Sequence, residues 1–164
     1  MKTIDERYSV RAYLDKEVEE EKLLAVLEAG RLAPSARNRQ ERHFYIITNP
    51  ELKEEIMMIS RQQEMLVEAP ILIVVTATDD YMMGCKIPAY IVDPTLALGY
   101  MLLEAQNQGL GTCWVGSYDQ DALKALLKLP SNETVVGITP LGYGNGGTRE
   151  RDRKPLSEIT TYIK

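Results

Sequence analysis

The feature that most restricts the fold is an unbroken apolar run, Ile71-Leu72-Ile73-Val74-Val75, directly after Pro70. β-Branched residues favour extended backbone, and a strand with no polar alternation is buried on both faces of its sheet. A chain of 164 residues is long enough for one domain with a real core around such a strand. We therefore predict a single domain over residues 1–164, built around a central sheet.

Apolar periodicity elsewhere predicts further helices and strands, without strict alternation of strand and helix. The predicted helices cover 17–33, 51–66, 94–108 and 119–128. The predicted strands cover 43–48, 71–75, 111–116 and 135–142. Residues 79–90 are expected to form a loop or short excursion, and Gly109 is expected to end the helix that begins at Pro94. This order favours the α+β class, with a central sheet flanked by helices.

The charge and the first residues argue against several classes of protein. A net charge of −5 argues against a general nucleic-acid binder and against docking on an anionic membrane, because both need a basic face. The opening MKTIDERYSV lacks the apolar segment of a signal peptide, and no apolar run is as long as a membrane span. Two cysteines, Cys85 and Cys113, do not make the dense disulfide framework of a small secreted domain. The sequence predicts a soluble protein of a reducing compartment, the cytoplasm.

The residue types also limit the chemistry that side chains could perform. The single histidine, His43, opens an apolar strand, which leaves no His-rich metal site and argues against a Ser-His-Asp system. The cysteines are too far apart in the sequence for a C-x-x-C redox pair. We assign no catalytic side chain and no metal ligand, so an enzyme of this composition would depend on a bound cofactor.

Two basic clusters stand near opposite ends of this acidic chain. Arg7 and Arg11 flank Ser9, and the second cluster consists of Arg149, Arg151, Arg153 and Lys154. Arginine binds phosphate through two parallel hydrogen bonds, so both clusters could converge on one anion. The alternative is that they are ordinary solvated charges paired with neighbouring carboxylates. The polar loop 34–42 and the glycine-rich segment 109–116 could likewise bind a polar ligand or simply connect elements.

Taken together, five motifs in order resemble the nitroreductase family of flavoproteins. In this chain they are Arg7-Tyr8-Ser9-Val10-Arg11, the loop from Ala33-Pro34-Ser35 to Gln40, Ala69-Pro70 before the valine-rich strand, the segment Gly109–Gly116, and Leu141-Gly142-Tyr143 followed by Arg153-Lys154-Pro155. The resemblance runs through almost the whole chain. It implies a mixed or antiparallel sheet of four to five strands, and a homodimer that binds FMN between its two chains.

The resemblance also implies which residues contact the flavin. Residues near both ends of the chain would meet its phosphate and ribityl chain, a polar loop would come from the partner chain, and amide groups would meet the ring edge. The residues near the ends are Arg7, Tyr8, Ser9, Arg11, Arg151 and Arg153, with Lys154 as a neighbour. The loop residues are Pro34, Ser35, Ala36 and Asn38. The ring-edge groups are the side chain of Gln62 and the backbone amides of Val115, Gly116 and Ser117.

The activity implied is that of an FMN-dependent oxidoreductase, which takes hydride from NAD(P)H and reduces nitroaromatics, quinones or similar acceptors in a ping-pong cycle. Two alternatives remain open: the same fold and flavin used for dehalogenation or flavin breakdown, and a protein that binds FMN without turnover. The chain departs from the family pattern at Glu41-Arg42, where the family continues Pro-Trp. The short segment 76–93 leaves few residues to roof a substrate pocket, and the candidates are Tyr81, Met82, Met83 and Tyr90. The helix 94–108 is apolar on more than one side and would pack at the dimer interface.

Overall fold

The computed structural model describes residues 2–146 and 152–164. The strands are β1 (Arg42–Ile47), β2 (Ile71–Ala77), β3 (Gly111–Thr112) and β4 (Thr134–Gly142). The helices are α1 (Lys2–Glu6), α2 (Glu20–Leu32), α3 (Pro50–Ile59), α4 (Met65–Glu68), α5 (Ala89–Asn107) and α6 (Gln120–Leu126), with 3₁₀ turns at Ala36–Asn38 and Leu156–Glu158. Within these described ranges, no helix is both long and apolar enough to cross a membrane.

The four strands form one sheet in the order β1-β2-β4-β3, and every neighbouring pair is antiparallel. All residues of β2 are buried. Leu72 and Val74 pack into a core on one face, which α3, α4 and α6 cover. Ile73 and Val75 pack into a second core on the other face, under α2 and α5. The α+β class and the burial of this strand on both faces are therefore confirmed.

Helix α5 starts earlier than the sequence indicated. The expected start at Pro94 is wrong, because the helix begins at Ala89 and Pro94 lies inside it. A proline in a helix removes one backbone hydrogen bond, here the one to the carbonyl of Tyr90, and the burial of Ala89 and Pro94 against the core offsets that loss. The expected end is confirmed: Gly109 has a left-handed φ of 75°, and the Leu110 amide donates to the Ala105 carbonyl at 2.8 Å.

Two other elements differ from expectation for local reasons. The helix expected over 51–66 is divided into α3 and α4, because Arg61 and Gln62 take left-handed φ angles of 55° and 53°. The strand expected over 111–116 pairs as a ladder only at its first two residues, and Val115 then pairs again with Ile138 in the same register. Pro140 interrupts this ladder because it has no N–H to donate.

Candidate functional site

The segment that follows α1 lies along the β3 edge of the sheet. The Val10 amide donates to the Thr112 carbonyl at 2.9 Å, and the Asn145 amide donates to the Ala12 carbonyl at 2.8 Å. Together with a hydrogen bond from the Tyr8 hydroxyl to the Gly146 carbonyl at 2.8 Å, these contacts bring the N-terminal segment against the chain that leaves β4. Close approach is possible because position 111 is glycine: an ideal Cβ there would lie only 2.6 Å from Val10 Cγ2.

A cavity of about 290 Å³ opens between these two segments, and its lining includes Tyr8, Ser9, Arg11 and Gly146. Arg11 is exposed, and its guanidinium donates to the nearby Ser9 carbonyl at 3.4 Å. None of the described carboxylates lies within ion-pair distance of it. Arg7, which precedes Tyr8 and Ser9 in the sequence, is half-buried and does not line this cavity. The structure thus brings three of the four predicted N-terminal residues to one cavity, where Arg11 forms no ion pair with a described carboxylate, although Glu64 and Glu68 line the adjoining cavity with it.

Gln62 lies on the other side of Arg11. The turn between α3 and α4 exposes Gln62, and a second cavity of about 290 Å³ is lined by both Arg11 and Gln62. The next residue, Gln63, donates through Nε2 to the Ser60 carbonyl at 2.8 Å and to the Ser117 carbonyl at 3.4 Å. This side chain connects the turn to the segment after β3, so the positions predicted for the phosphate and for the ring edge are contiguous.

The three backbone amides predicted to face the ring differ in their availability. The Val115 amide donates to the Ile138 carbonyl at 2.8 Å, so the expectation that it faces a ligand is wrong; its N–H is used within the sheet. No hydrogen bond is recorded from the amides of Gly116 and Ser117 to any described part of the chain. Gly116 is exposed and Ser117 half-buried, so these two N–H groups remain available to an acceptor from outside.

The predicted loop of Pro34, Ser35, Ala36 and Asn38 has strained backbone. Arg37, Asn38 and Gln40 have φ angles of 54°, 56° and 60°, in the left-handed region that side chains other than glycine disfavour. Such strain persists only where surrounding contacts hold it, and it concentrates at functional sites. Here the Ser35 hydroxyl accepts from the Gln40 amide at 3.0 Å, which ties the two ends of the loop together.

A buried carboxylate and a half-buried guanidinium hold this loop in place. The Asp93 carboxylate, on the first turns of α5, accepts from the Ala36 amide at 2.9 Å. The Arg42 guanidinium donates to the carbonyls of Arg31 and Ala33 at 2.7 and 2.8 Å, at the end of α2. Burial lowers the pKa of Arg42, and the Asp93 carboxylate opposes that change by favouring the charged form. Asp93 was missed by sequence reasoning, because the helix was expected to begin one residue later, at Pro94.

The loop and the Arg11 cavity lie at diagonally opposite corners of the sheet. The loop leads into β1, and Arg42 pairs with Ala77 at one end of β2, whereas the Arg11 cavity adjoins β3, where Thr112 pairs with Leu141 at the other end of β4. These outer strands are three strand spacings apart, about 14 Å, and the offset along the strands adds to that. Within one chain, a small ligand at Arg11 therefore cannot also contact the loop.

The C-terminal basic cluster is only partly described. Arg151 lies outside the described residues. Arg153 is exposed, and its guanidinium donates to the Asp152 carbonyl at 2.7 Å, with no recorded contact to the Arg11 cavity. The chain nevertheless leaves β4 through Gly146, a lining residue of that cavity. The meeting of arginines from both ends therefore stays a prediction.

Comparison with known proteins agrees with this architecture. The sequence profile of the Nitroreductase family matches residues 4–63 and 57–143. A Methanothermobacter thermautotrophicus protein, provisionally named NADH dehydrogenase/NAD(P)H nitroreductase, is 32% identical over 92% of this chain and 81% of its own. The FMN reductase (NAD(P)H) of Bacillus subtilis is 25% identical over 99% of this chain and 74% of its own. A crystal structure of a nitroreductase family protein from Clostridium difficile superposes with a TM-score of 0.87 at 29% identity, over 98% of this chain and 95% of that one. This chain belongs to the nitroreductase family.

Proposed function

We propose that this protein is an FMN-dependent oxidoreductase that takes hydride from NAD(P)H and reduces nitroaromatic, quinone or similar electron-poor acceptors. The observation that carries the proposal is the cavity that Arg11 and Gln62 share, which the Gln63 side chain connects to the segment with the unpaired amides of Gly116 and Ser117. The names of two relatives, an NAD(P)H nitroreductase and an FMN reductase, support the same chemistry.

The donor set suits a mononucleotide flavin. A phosphate needs charged donors, which Arg11 supplies with the hydroxyl of Ser9 beside it, and Arg7, Arg151 and Arg153 are the further candidates from the sequence. The pyrimidine edge of a flavin carries both donors and acceptors, and the side-chain amide of Gln62 can pair with either. The amides of Gly116 and Ser117 remain for the acceptor atoms of the central ring.

We propose that the site is completed by a second copy of the chain. Pro34, Ser35, Ala36 and Asn38 lie too far from Arg11 to contact the same flavin within one chain, so they would act on the flavin of the partner. Helix α5 offers a surface for that association, because Leu96 and Tyr100, one turn apart on a strongly apolar helix, are 40% and 44% exposed. Exposed apolar patches of this kind mark protein interfaces.

The chemistry assigned to the chain itself is electrostatic. Bound FMN would supply the two-electron chemistry, accepting hydride from NAD(P)H and delivering the electrons to the acceptor. The amides of Gly116 and Ser117 would donate hydrogen bonds to the ring edge where negative charge grows, and the pairing of the preceding Val115 with Ile138 limits how far their backbone must reorganise. The Arg11 guanidinium holds the phosphate end, which fixes the ring against these amides.

The test is an absorption spectrum of the purified protein, before and after NADH or NADPH is added under nitrogen. We expect a flavin spectrum that bleaches with either nicotinamide. Arg11→Ala with Arg153→Ala should abolish flavin retention while the circular dichroism stays native, because charged hydrogen bonds contribute about 1.5–3 kcal/mol each. A double variant that keeps its full flavin content would show the phosphate assignment to be wrong, and a flavin that NAD(P)H does not bleach would exclude the reductase.

A further inference from the structure

The segment between β2 and α5 packs on the strained loop through charged and aromatic contacts. The Arg39 guanidinium donates to the Asp79 carboxylate, with Nε at 2.9 Å. Both Arg39 and Arg37 also lie over the Tyr81 ring, at 4.7 and 5.8 Å from its centroid. A guanidinium within about 6 Å of an aromatic ring is attracted to its face. Two arginines of the loop thus gather around one half-buried aromatic side chain.

The two arginines differ in how their charge is compensated. Arg39 forms an ion pair with Asp79, whereas no carboxylate in the described part of the chain lies within ion-pair distance of Arg37. Arg37 is exposed, and its left-handed φ of 54° belongs to backbone that Asp93 and Ser35 hold in place. In a chain of net charge −5, an uncompensated guanidinium on a tethered loop beside an aromatic ring is a local positive site.

We propose that Arg37 and Tyr81 form a recognition site for an anionic group carried on an aromatic ligand, with Arg39 holding Tyr81 in position. The guanidinium binds a phosphate or carboxylate through two parallel hydrogen bonds, and the ring offers a face for stacking. Two ligands of the proposed reaction carry such a group: NADPH, whose adenosine bears a 2′-phosphate, and an acceptor with a ring carboxylate. The inference rests on the proposed function, because it places the site beside the loop that would meet the flavin.

The test compares Arg37→Ala and Arg37→Lys with a matched control, Lys128→Ala. Lys128 is also an exposed cation with left-handed backbone, at φ 51°, but it follows α6, far along the chain from the loop. The ratio of kcat/KM for NADPH to that for NADH is measured in each variant, as is the ratio for 4-nitrobenzoate to nitrobenzene. We expect one of these ratios to fall about tenfold in Arg37→Ala, the usual loss for one charged hydrogen bond at a surface, and to recover in part in Arg37→Lys.

The two arms identify the source of the anion. A fall in the NADPH ratio assigns the site to the coenzyme, and a fall in the nitrobenzoate ratio assigns it to the acceptor. If both ratios in Arg37→Ala equal those of Lys128→Ala, the anion site is refuted while the reductase stands. If the purified protein has neither flavin nor turnover, the proposed function fails, and calorimetry with adenosine 2′-phosphate against adenosine, and with 4-nitrobenzoate against nitrobenzene, then decides the anion site alone. The site is refuted if adenosine 2′-phosphate binds no more tightly than adenosine and 4-nitrobenzoate binds no more tightly than nitrobenzene in that measurement.

Discussion

The hydrogen bond between the Asp93 carboxylate and the Ala36 amide provides a direct test of how the loop at residues 34–40, which we propose contacts the flavin, is held. Asp93→Leu removes the acceptor, while Asp93→Asn keeps an oxygen in the same place and removes only the charge. Asp93 is 7% exposed and its carboxylate lies 2.9 Å from the amide nitrogen, so the bond is charged and shielded from solvent. The substitution therefore changes how the loop is held and leaves the side chains that we expect to contact the flavin unaltered, because Asp93 bonds only to the backbone amide of Ala36 there.

The expected magnitude follows from the strain in the loop. Three left-handed residues, Arg37, Asn38 and Gln40, each cost about 1 kcal/mol or more, so the loop stores roughly 3 kcal/mol that its tethers must offset. A hydrogen bond to a charged group contributes about 1.5–3 kcal/mol. Loss of about 2 kcal/mol in Asp93→Leu would lower the population of the competent loop about 30-fold and weaken flavin binding by the same factor. Asp93→Asn should weaken FMN binding only about fivefold, because it keeps a hydrogen-bond acceptor and removes only the charge.

Binding is measured by titrating the flavin-free protein with FMN and following the fluorescence of Trp114, the single tryptophan, just before Val115. Circular dichroism and urea unfolding of the flavin-free variants show whether the fold survives, because Asp93→Leu also removes a charge that favours the charged form of half-buried Arg42. Asp15→Asn, which removes a carboxylate from the surface, is the control. The reasoning fails if folded Asp93→Leu binds FMN as tightly as the control.

Two further predictions concern packing and pH. Gly111→Ala should lower the free energy of unfolding by about 1–3 kcal/mol and weaken FMN binding, because the added Cβ would collide with Val10. Gly84→Ala, where the added Cβ has open space around it, is the control. Equal urea midpoints of the two variants would contradict the close approach of Val10 to Gly111. The Tyr45 hydroxyl donates to the Glu133 carboxylate, and burial together with this hydrogen bond raises the pKa of Tyr45 from 10.0 to about 12. The protonated hydroxyl therefore stabilises the fold fully below pH 10, and this stabilisation is lost as pH rises through 12. Tyr45→Phe should flatten the fall of the urea midpoint over that range, and a slope equal to the wild type would refute the assignment.

The elements that the sequence predicted well are those whose signal is local. The apolar run that contains Ile73 and Val75 predicts a strand buried on both faces without reference to any other segment. Gly109 ends a helix because glycine itself adopts the left-handed backbone that the helix end requires. The shortening of β3 could not be predicted in this way. It depends on Pro140 lying opposite Cys113, which is a consequence of strand register and not of either segment alone.

The same distinction applies to the candidate site. Residue type was sufficient to single out Arg11 and Gln62, and the structure places both on one cavity. Residue type could not show that the Val115 amide is already bonded, because its acceptor, Ile138, comes from a distant segment. Asp93 was missed for the same reason, since its role exists only where α5 passes beneath the Ala36 amide.

The two halves of the proposed site are held by different kinds of bond, and they therefore differ in how strongly they depend on side-chain identity. The Arg11 half is fixed by main-chain pairing with β3 and β4, which depends little on side-chain identity. The loop half depends on a few polar side chains, so a change such as Glu41-Arg42 must bring its own contacts. It does: Arg42 donates to the last carbonyls of α2, and the Glu41 carboxylate accepts from the Thr78 hydroxyl at 2.7 Å. Cations are favoured at helix C-termini, so the positive charge of Arg42 can hold the loop above Asp93.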